Sequence, residues 1–343
     1  MSKQPATRSG LGSSGASACA REVQPATKTE SSREGTCAQP FARKGQPAGP
    51  VEFLVIGHVT NDIVGADLRP GGTASYAAVV AARLGVRTAI LTSAADDLRL
   101  PAELTGVAFH NLSAAHTTVM EHQFIGRRRE QYVRYRAEVI TASLLPQQLR
   151  SAPVVLVGSV TGEVENDVLD SFPNALRGAT VQGWLRQVAA DGYVESMDAA
   201  AWDYAPVLSK LQAAFLSEDD VGGDIESVRT VLDAWKRAVS ILVVTRGEAG
   251  ALISVDGNWY SIGVTPSSEV DATGAGDAFA AGFLIRYNET ADASEAARFA
   301  TAVAAFVVEA TGIAGAPTRE QVDNRLAANP DVRLRELGPR LPR

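Results

Sequence analysis

The sequence predicts an α/β domain with a mainly parallel sheet covered by helices on both faces. Short apolar runs such as "VEFLVIG" (51–57) recur along the chain, and stretches with helical apolar spacing separate them. The last third then carries two long helical patterns, about 275–287 and 291–310.

Residues 1–48 are rich in Ser, Gly, Ala, Pro and Gln without a hydrophobic period, which predicts a disordered tail. The tail holds "GLGSSG" (10–15), a match to G-x-G-x-x-G that neither follows a strand nor opens a helix, so it does not read as a dinucleotide site. Order is expected from residue 51. "GGTASYAAVVAARLG" reads as a helix after a glycine turn, "RTAILTSA", "APVVLVG", "ATVQGW" and "AAFLS" as strands, and "DIESVRTVLDAWKRA" as a helix with an acidic first turn. "SILVVTRG" is a further strand, and "GALISVDGNWYSI" a hairpin turning at Asp256 and Gly257. Residues 117–141 break the rhythm with two β-rich runs joined near Gly126. They are read as a hairpin with a wet charged face or as a small flap whose arginines meet a phosphorylated or acidic ligand. Residues 331–343 are read as a C-terminal tail.

With 45% hydrophobic and 21% charged residues the composition is that of a globular protein, and no run reaches the roughly 18 apolar residues of a membrane span. The expected setting is the cytoplasm, with no membrane partner and no secretory signal. A net charge of -7 argues against a general nucleic-acid partner, which needs an excess of Lys and Arg. The two cysteines, Cys19 and Cys37, fall in the expected tail and build neither a disulfide framework nor a metal site. His58, His110, His116 and His122 lack metal-ligand spacing and read as structural or exposed, and the four tryptophans as packing residues.

The chemistry concentrates in "DATGAGDAFAAGF" (271–283). Gly274 and Gly276 allow backbone conformations closed to other residues, so successive N–H groups can converge at the positive end of the following helix. That makes an anion hole. Asp277 cannot itself hold an anion, but it can accept the proton of a hydroxyl that attacks a phosphoryl group. Taken alone, the same residues also describe an ordinary helix N-terminus. The chain contains no Gly-Lys dipeptide, which excludes the Walker-type phosphate loop.

This segment resembles the second signature of the PfkB, or ribokinase-like, carbohydrate kinases. The resemblance covers roughly residues 51–325, with "IGHVTNDI", "GGTASYAAVVAARLG" and "VVTRGEAGA" in family order. It implies a three-layer α/β/α kinase domain over residues 49–330, with residues 117–141 as a small β lid. It implies Asp277 as catalytic base, with Gly274, Ala275 and Gly276 as the anion hole. ATP would be bound by Thr245, Gly247, Gly250, Thr273, Gly274 and Gly276, and the acceptor by Asp62, Gly71, Gly72 and Tyr76. Asp271 and Thr273 would lie near a monovalent-cation site, making K⁺ a candidate beside ATP and Mg²⁺, and the assembly would be a monomer or homodimer.

Departures from the family pattern carry information as well. Tyr76 stands where many sugar kinases have a substrate-binding asparagine, so ribose or fructose does not carry over as acceptor. "SEDD" replaces the N-x-x-E motif that organises magnesium water shells, leaving Ser217 and Asp220 there, with Asp220 as candidate metal ligand and metal handling altered or weaker. The short span between Gly57 and Gly71 leaves no room for the strands of a large lid, so the 117–141 flap is the expected cover. This reduced arrangement, with "TTVMEHQF", "VQGWLR" and "FLSEDD" in order, looks more like the divergent branch that includes inositol kinases than like ribokinase itself. Arg127, Arg134 and Arg186 are candidate ligand contacts or surface arginines. The expected activity is ATP-dependent phosphorylation of a hydroxyl on a small sugar, polyol, cyclitol or nucleoside. The alternatives are a pyridoxal or hydroxymethylpyrimidine kinase of the same superfamily and a catalytically silent sugar or nucleotide sensor.

Overall fold

Strand β1 (Phe53–Ile56) alternates its side chains between two cores: Phe53 and Val55 pack on one face of the sheet, Leu54 and Ile56 on the other. Both faces are apolar because both are covered, which is why the strand reads as an unbroken hydrophobic run. The protein is described from a computed structural model that defines residues 49–126 and 128–341. The expected N-terminal tail, with its glycine motif and both cysteines, lies outside the described residues, as does Arg127.

The other strands of the central sheet are β4 (Thr88–Ala94), β5 (Ala108–Ser113), β8 (Val154–Gly158), β9 (Leu176–Thr180), β12 (Ala213–Ser217), β13 (Ile241–Thr245), β14 (Ala251–Val255), β15 (Asn258–Ile262) and β16 (Arg335–Gly338). These form a 10-stranded sheet in the order β16-β15-β14-β13-β12-β9-β8-β1-β4-β5, parallel from β13 to β5 and antiparallel from β13 to β16. Helices α1 (Gly72–Arg83), α4 (Ala275–Thr290), α5 (Ala293–Val307) and α6 (Arg319–Ala328) pack on the Phe53 face; α2 (Ala205–Leu208) and α3 (Ile225–Trp235) pack on the other. Their starts obey local rules. Asp224 caps α3, Asp292 caps α5, and Thr318 with Gln321 forms a capping box on α6. From β1 the chain moves to β4 and β5 on one side, then to β8, β9 and β12 on the other, so the sheet has its topological switch between β1 and β8. Ligand crevices form outside the carboxyl ends of strands at such a point.

Two sequence-based expectations need correction. The short segment after Gly57 does hold lid strands: β2 (Thr60–Val64) and β3 (Asp67–Gly71) form a hairpin, and with β6 (Val119–Ile125) and β7 (Arg128–Tyr135) they make a separate four-stranded sheet in the order β3-β2-β6-β7. Thus the 117–141 flap is half of the cover. A tight turn at Gly65 lets five-residue strands fit where a longer connection would not, and Pro70 is tolerated because β3 is an edge strand. A small hairpin of β10 (Arg186–Val188) and β11 (Val194–Ser196) adds to the outer side of the lid through a bridge between Tyr132 and Tyr193, whose rings lie 5.3 Å apart.

Residues 331–343, expected as a tail, instead supply edge strand β16 and bury Leu341 in the core that holds Trp235 and Trp259. The Pro339 carbonyl accepts from Lys236, a buried ammonium that also pairs with Asp233 at 2.9 Å and lies over the Trp259 ring. Removing residues 335–343 should therefore lower stability by roughly 2–4 kcal/mol, from lost apolar burial and the loss of one of the two partners of Lys236. A thermal melt should show a drop of several degrees. A melting temperature equal to that of the full chain would mean that this segment is a tail after all.

Candidate active site

The conformation of Gly274 organises the loop. Its φ of +79° lies in the left-handed region, and a Cβ placed there would sit 2.0 Å from the Tyr76 ring, so only glycine fits. Helix α4 begins immediately afterwards without any side-chain cap. Its first-turn N–H groups are therefore available to a ligand, although that of Ala275 is engaged by the Ala272 carbonyl at 3.2 Å. The Thr245 hydroxyl lies about 4.0 Å from the side-chain position of Gly276, which brings the β13–β14 turn, with Gly247 and Gly250, to this helix start.

Asp277 stands in the first turn of α4, half-buried. Its Oδ1 accepts from the Thr73 hydroxyl at 2.6 Å, and Thr73 lies 3.2 Å from the Thr180 hydroxyl at the end of β9. Loss of hydration pushes its pKa up from 3.8 to about 6, against the stabilising Thr73 hydrogen bond and Arg186 charge, with Asp220 and Asp62 adding to the rise. Thr73 was absent from the sequence-based candidates. Its one signal was its place directly after the Gly71-Gly72 pair.

On the lid side, Asp62 is held by Thr60 and faced by His122. Thr60 donates to its Oδ1 at 2.6 Å, and His122 Nε2 lies 3.3 Å from its Oδ2. A Cβ at Gly71 would meet that same carboxylate at 2.1 Å, so the first glycine of the pair exists to let Asp62 lie against the backbone. His122, read from sequence as structural or exposed, is buried beside Asp62 in a cleft of about 310 Å³ that Tyr76, Asp271 and Thr273 also line. The inward alternation of Met120 and His122 along β6 was the available clue. Tyr76 is 6% exposed; burial, then the charges of Asp271, Asp62 and Asp277, push its hydroxyl pKa well up, so it faces the cleft as a neutral donor.

Asp271 is tied into its own loop. Its Oδ1 accepts from Thr273 N at 2.9 Å, its Oδ2 from Gly312 N at 3.3 Å, and Arg69 stands 3.8 Å away. Burial works against ionisation, but these hydrogen bonds and the guanidinium hold its pKa low. Asp220 accepts from Ser217 N at 2.8 Å in a capping box at the end of β12. Burial raises its pKa in spite of the Arg186 charge and the Ser217 bond, and burial lowers that of Arg186 in turn. Both line a second cleft, of about 590 Å³, and both are near enough for their charges to act on Asp277. Arg134 is instead committed to the lid, paired with Glu121 at 2.5 Å and lying over the Tyr132 ring. Among the described residues no group of three His, Cys, Asp or Glu side chains could hold a metal, and no helix is long and apolar enough to cross a membrane.

The raised pKa of Asp277 has a stability consequence. Its folded value lies above its unfolded one, so its favourable contribution is complete below about pH 4 and is lost as pH rises through about 6. At pH 8 the ionised form costs up to about 3 kcal/mol. Asp277→Asn, which keeps the shape and an acceptor for Thr73, should melt higher than wild type at pH 8 and equally at pH 4. Equal melting at both would show that Asp277 is well hydrated.

Cytidine kinase of Thermococcus kodakarensis is 25% identical over 271 residues, 72% of this chain and 92% of that protein. The nucleoside kinase of Methanocaldococcus jannaschii, a ribokinase-family member, superposes with a TM-score of 0.63 at 19% identity, covering 82% of this chain and 100% of the other. A pyrophosphate-dependent kinase of the ribokinase family, solved with a pyrophosphate analogue and myo-inositol, gives 0.63 at 22% identity over 79% and 99%. Residues 54–319 match the pfkB family carbohydrate kinases, and with the ribokinase-like three-layer fold and the glycine loop in place, the chain belongs to that family.

Proposed function

We propose that the protein transfers the terminal phosphoryl group of ATP to a hydroxyl of a nucleoside-type acceptor. The observation that carries the kinase reading is the junction itself. A carboxylate with a pKa of about 6 stands at an uncapped helix start, within charge reach of Asp62 in one cleft and of Arg186 and Asp220 in the other. A base poised near neutrality is what hydroxyl activation requires. Asp62, oriented by Thr60 and His122, would hold acceptor hydroxyls, and the neutral Tyr76 would donate to another. Asp277 would take the proton as the acceptor oxygen attacks. The N–H groups at the start of α4, around Gly274–Gly276, would stabilise the negative charge that develops on the phosphoryl oxygens.

The acceptor class follows from the lining of the first cleft. Beside its polar residues it presents Val64, Pro70 and the exposed Val270, an apolar side that suits a flat base attached to a sugar better than a ring polar all round. The long match to a cytidine kinase supports the same reading. A cyclitol acceptor is the second reading, supported by the likeness to the structure solved with myo-inositol.

The donor side fits a polyphosphate. Gly247, Gly250 and Thr245 would approach the nucleotide, and bound Mg²⁺ would supply charge neutralisation on its phosphates. Asp220 would hold that ion through water with the phosphates as its other ligands, since Mg²⁺ commonly uses one or two carboxylates. Asp271, already satisfied by two N–H groups and faced by Arg69, receives no K⁺ in this reading.

The test is ADP release by the purified protein with ATP, Mg²⁺ and a panel of nucleosides, inositols, sugars and pyridoxal. Turnover is expected with at least one nucleoside. Asp277→Asn should bind ATP as wild type does and lose about 10²–10⁴ in turnover. Turnover on inositols alone would favour the second reading, and an unchanged Asp277→Asn would remove Asp277 from the chemistry.

A further inference from the structure

Arg129 has no assignment from sequence motif or family resemblance, yet its position is unusual. It projects from β7 near the tip of the lid hairpin and lines both clefts, the one with Asp62 and Tyr76 and the one with Arg186 and Asp220. Lid arginines elsewhere are spent on structure: Arg134 pairs with Glu121, Arg69 with Asp67, and Arg136 donates to the Thr161 carbonyl. Arg129 forms no ion pair with a carboxylate among the described residues. Arg186, which faces the same space, has only the Val160 carbonyl as partner, at 3.3 Å, and Arg129 lies near enough for its charge to act on both Arg186 and Asp220. The two guanidinium groups repel each other, Asp220 offsets that charge at Arg186, and an anion between them would meet both.

We propose that Arg129 is a catalytic arginine carried by the lid, which contacts the phosphoryl group in transit from the donor cleft to the acceptor cleft. The inference rests on the kinase reading above and deepens it. During transfer the acceptor O–H proton goes to Asp277, a new O–P bond forms, and the bond from phosphorus to the bridging oxygen breaks with its electron pair leaving on the nucleoside diphosphate. Negative charge is spread over the equatorial oxygens at that moment, and they pass through the opening that Arg129 and Arg186 flank. A planar guanidinium binds two such oxygens at once, which an ammonium cannot. Arg129 lies on β7 and Arg186 opens the β10–β11 hairpin that joins the outer side of the lid, so both cations would be carried to the phosphoryl group as the lid closes over the acceptor.

The experiment compares wild type, Arg129→Ala and Arg129→Lys, with melting temperatures checked first. Arg129→Ala should lose about 10²–10³ in kcat with the acceptor KM changed little, as for loss of one group that binds developing charge. Added guanidinium ion should restore part of that kcat, and Arg129→Lys should recover it only in part. A kcat within threefold of wild type, or a loss confined to the acceptor KM, would overturn the proposal. If wild type turns over no acceptor, the kinase reading fails on its own. The arginine is then judged by calorimetric titration with inorganic pyrophosphate, where Arg129→Ala should bind at least tenfold more weakly and equal affinity would overturn it.

Discussion

A carboxylate held away from water at the start of a helix is the constraint on which the rest of the site depends. Left in solvent, Asp277 would be an ordinary acid; partly stripped of hydration, its pKa rises to about 6. What limits the rise is first the Thr73 hydroxyl, a charge-assisted bond of a kind that contributes about 1.5–3 kcal/mol, and then the Arg186 charge. Thr73 can reach it because α1 and α4 lie on the same face of the sheet, and because Gly158, where a Cβ would meet Thr73 at 2.2 Å, leaves room at the end of β8. The reactive group is thus placed by three segments distant in sequence, and the price is stability at alkaline pH.

The lid has its own anchor, built from groups that take no part in the chemistry. Ala137 N donates to the Thr118 hydroxyl, which lies 2.7 Å from His58 Nδ1, while His58 Nε2 donates to the Glu138 carbonyl at 3.0 Å. One buried imidazole joins the residue before β6 to the segment after β7. Beneath it, Glu163 accepts from the backbone of His58, Val160 and Thr161 and from the Ser159 hydroxyl. Burial opposes its ionisation, but the adjoining His58 and these N–H groups hold its pKa low. The two ends of the β6–β7 hairpin are pinned to the sheet while its tip, with Arg129, extends over the clefts.

Much of this was legible in the sequence, because much of it is local. The alternation of strands and helices follows from burial of the sheet on both faces, and the glycine loop with Asp277 is specified within seven residues. What escaped detection depends on long-range pairing. Thr73 meets Asp277 across 204 positions, a contact that no local pattern signals. Strands β2 and β3 are five residues each, and β3 carries a proline and charged residues because it is an edge. Strand β16 reads "RELG" and is legible only as the partner of Trp259, Tyr260 and Ser261. For His122 metal spacing left the choice between a structural and an exposed place open; its position on the inward side of β6 decides for the buried one.

Taken together, these elements describe a proton acceptor whose affinity is set by lost hydration against the Thr73 hydroxyl bond, with the charges of Arg186, Asp220 and Asp62 adjusting the balance. The most direct measurement is the pH dependence of kcat for wild type and Thr73→Val. Protonated Asp277 cannot act as a base, so the wild-type rate should rise with unit slope through about pH 6 and level off above it. Removing the hydroxyl removes a bond to the ionised form, so the Thr73→Val limb should move to higher pH. A flat profile between pH 5 and 8, or a limb that stays in place in the variant, would contradict the account.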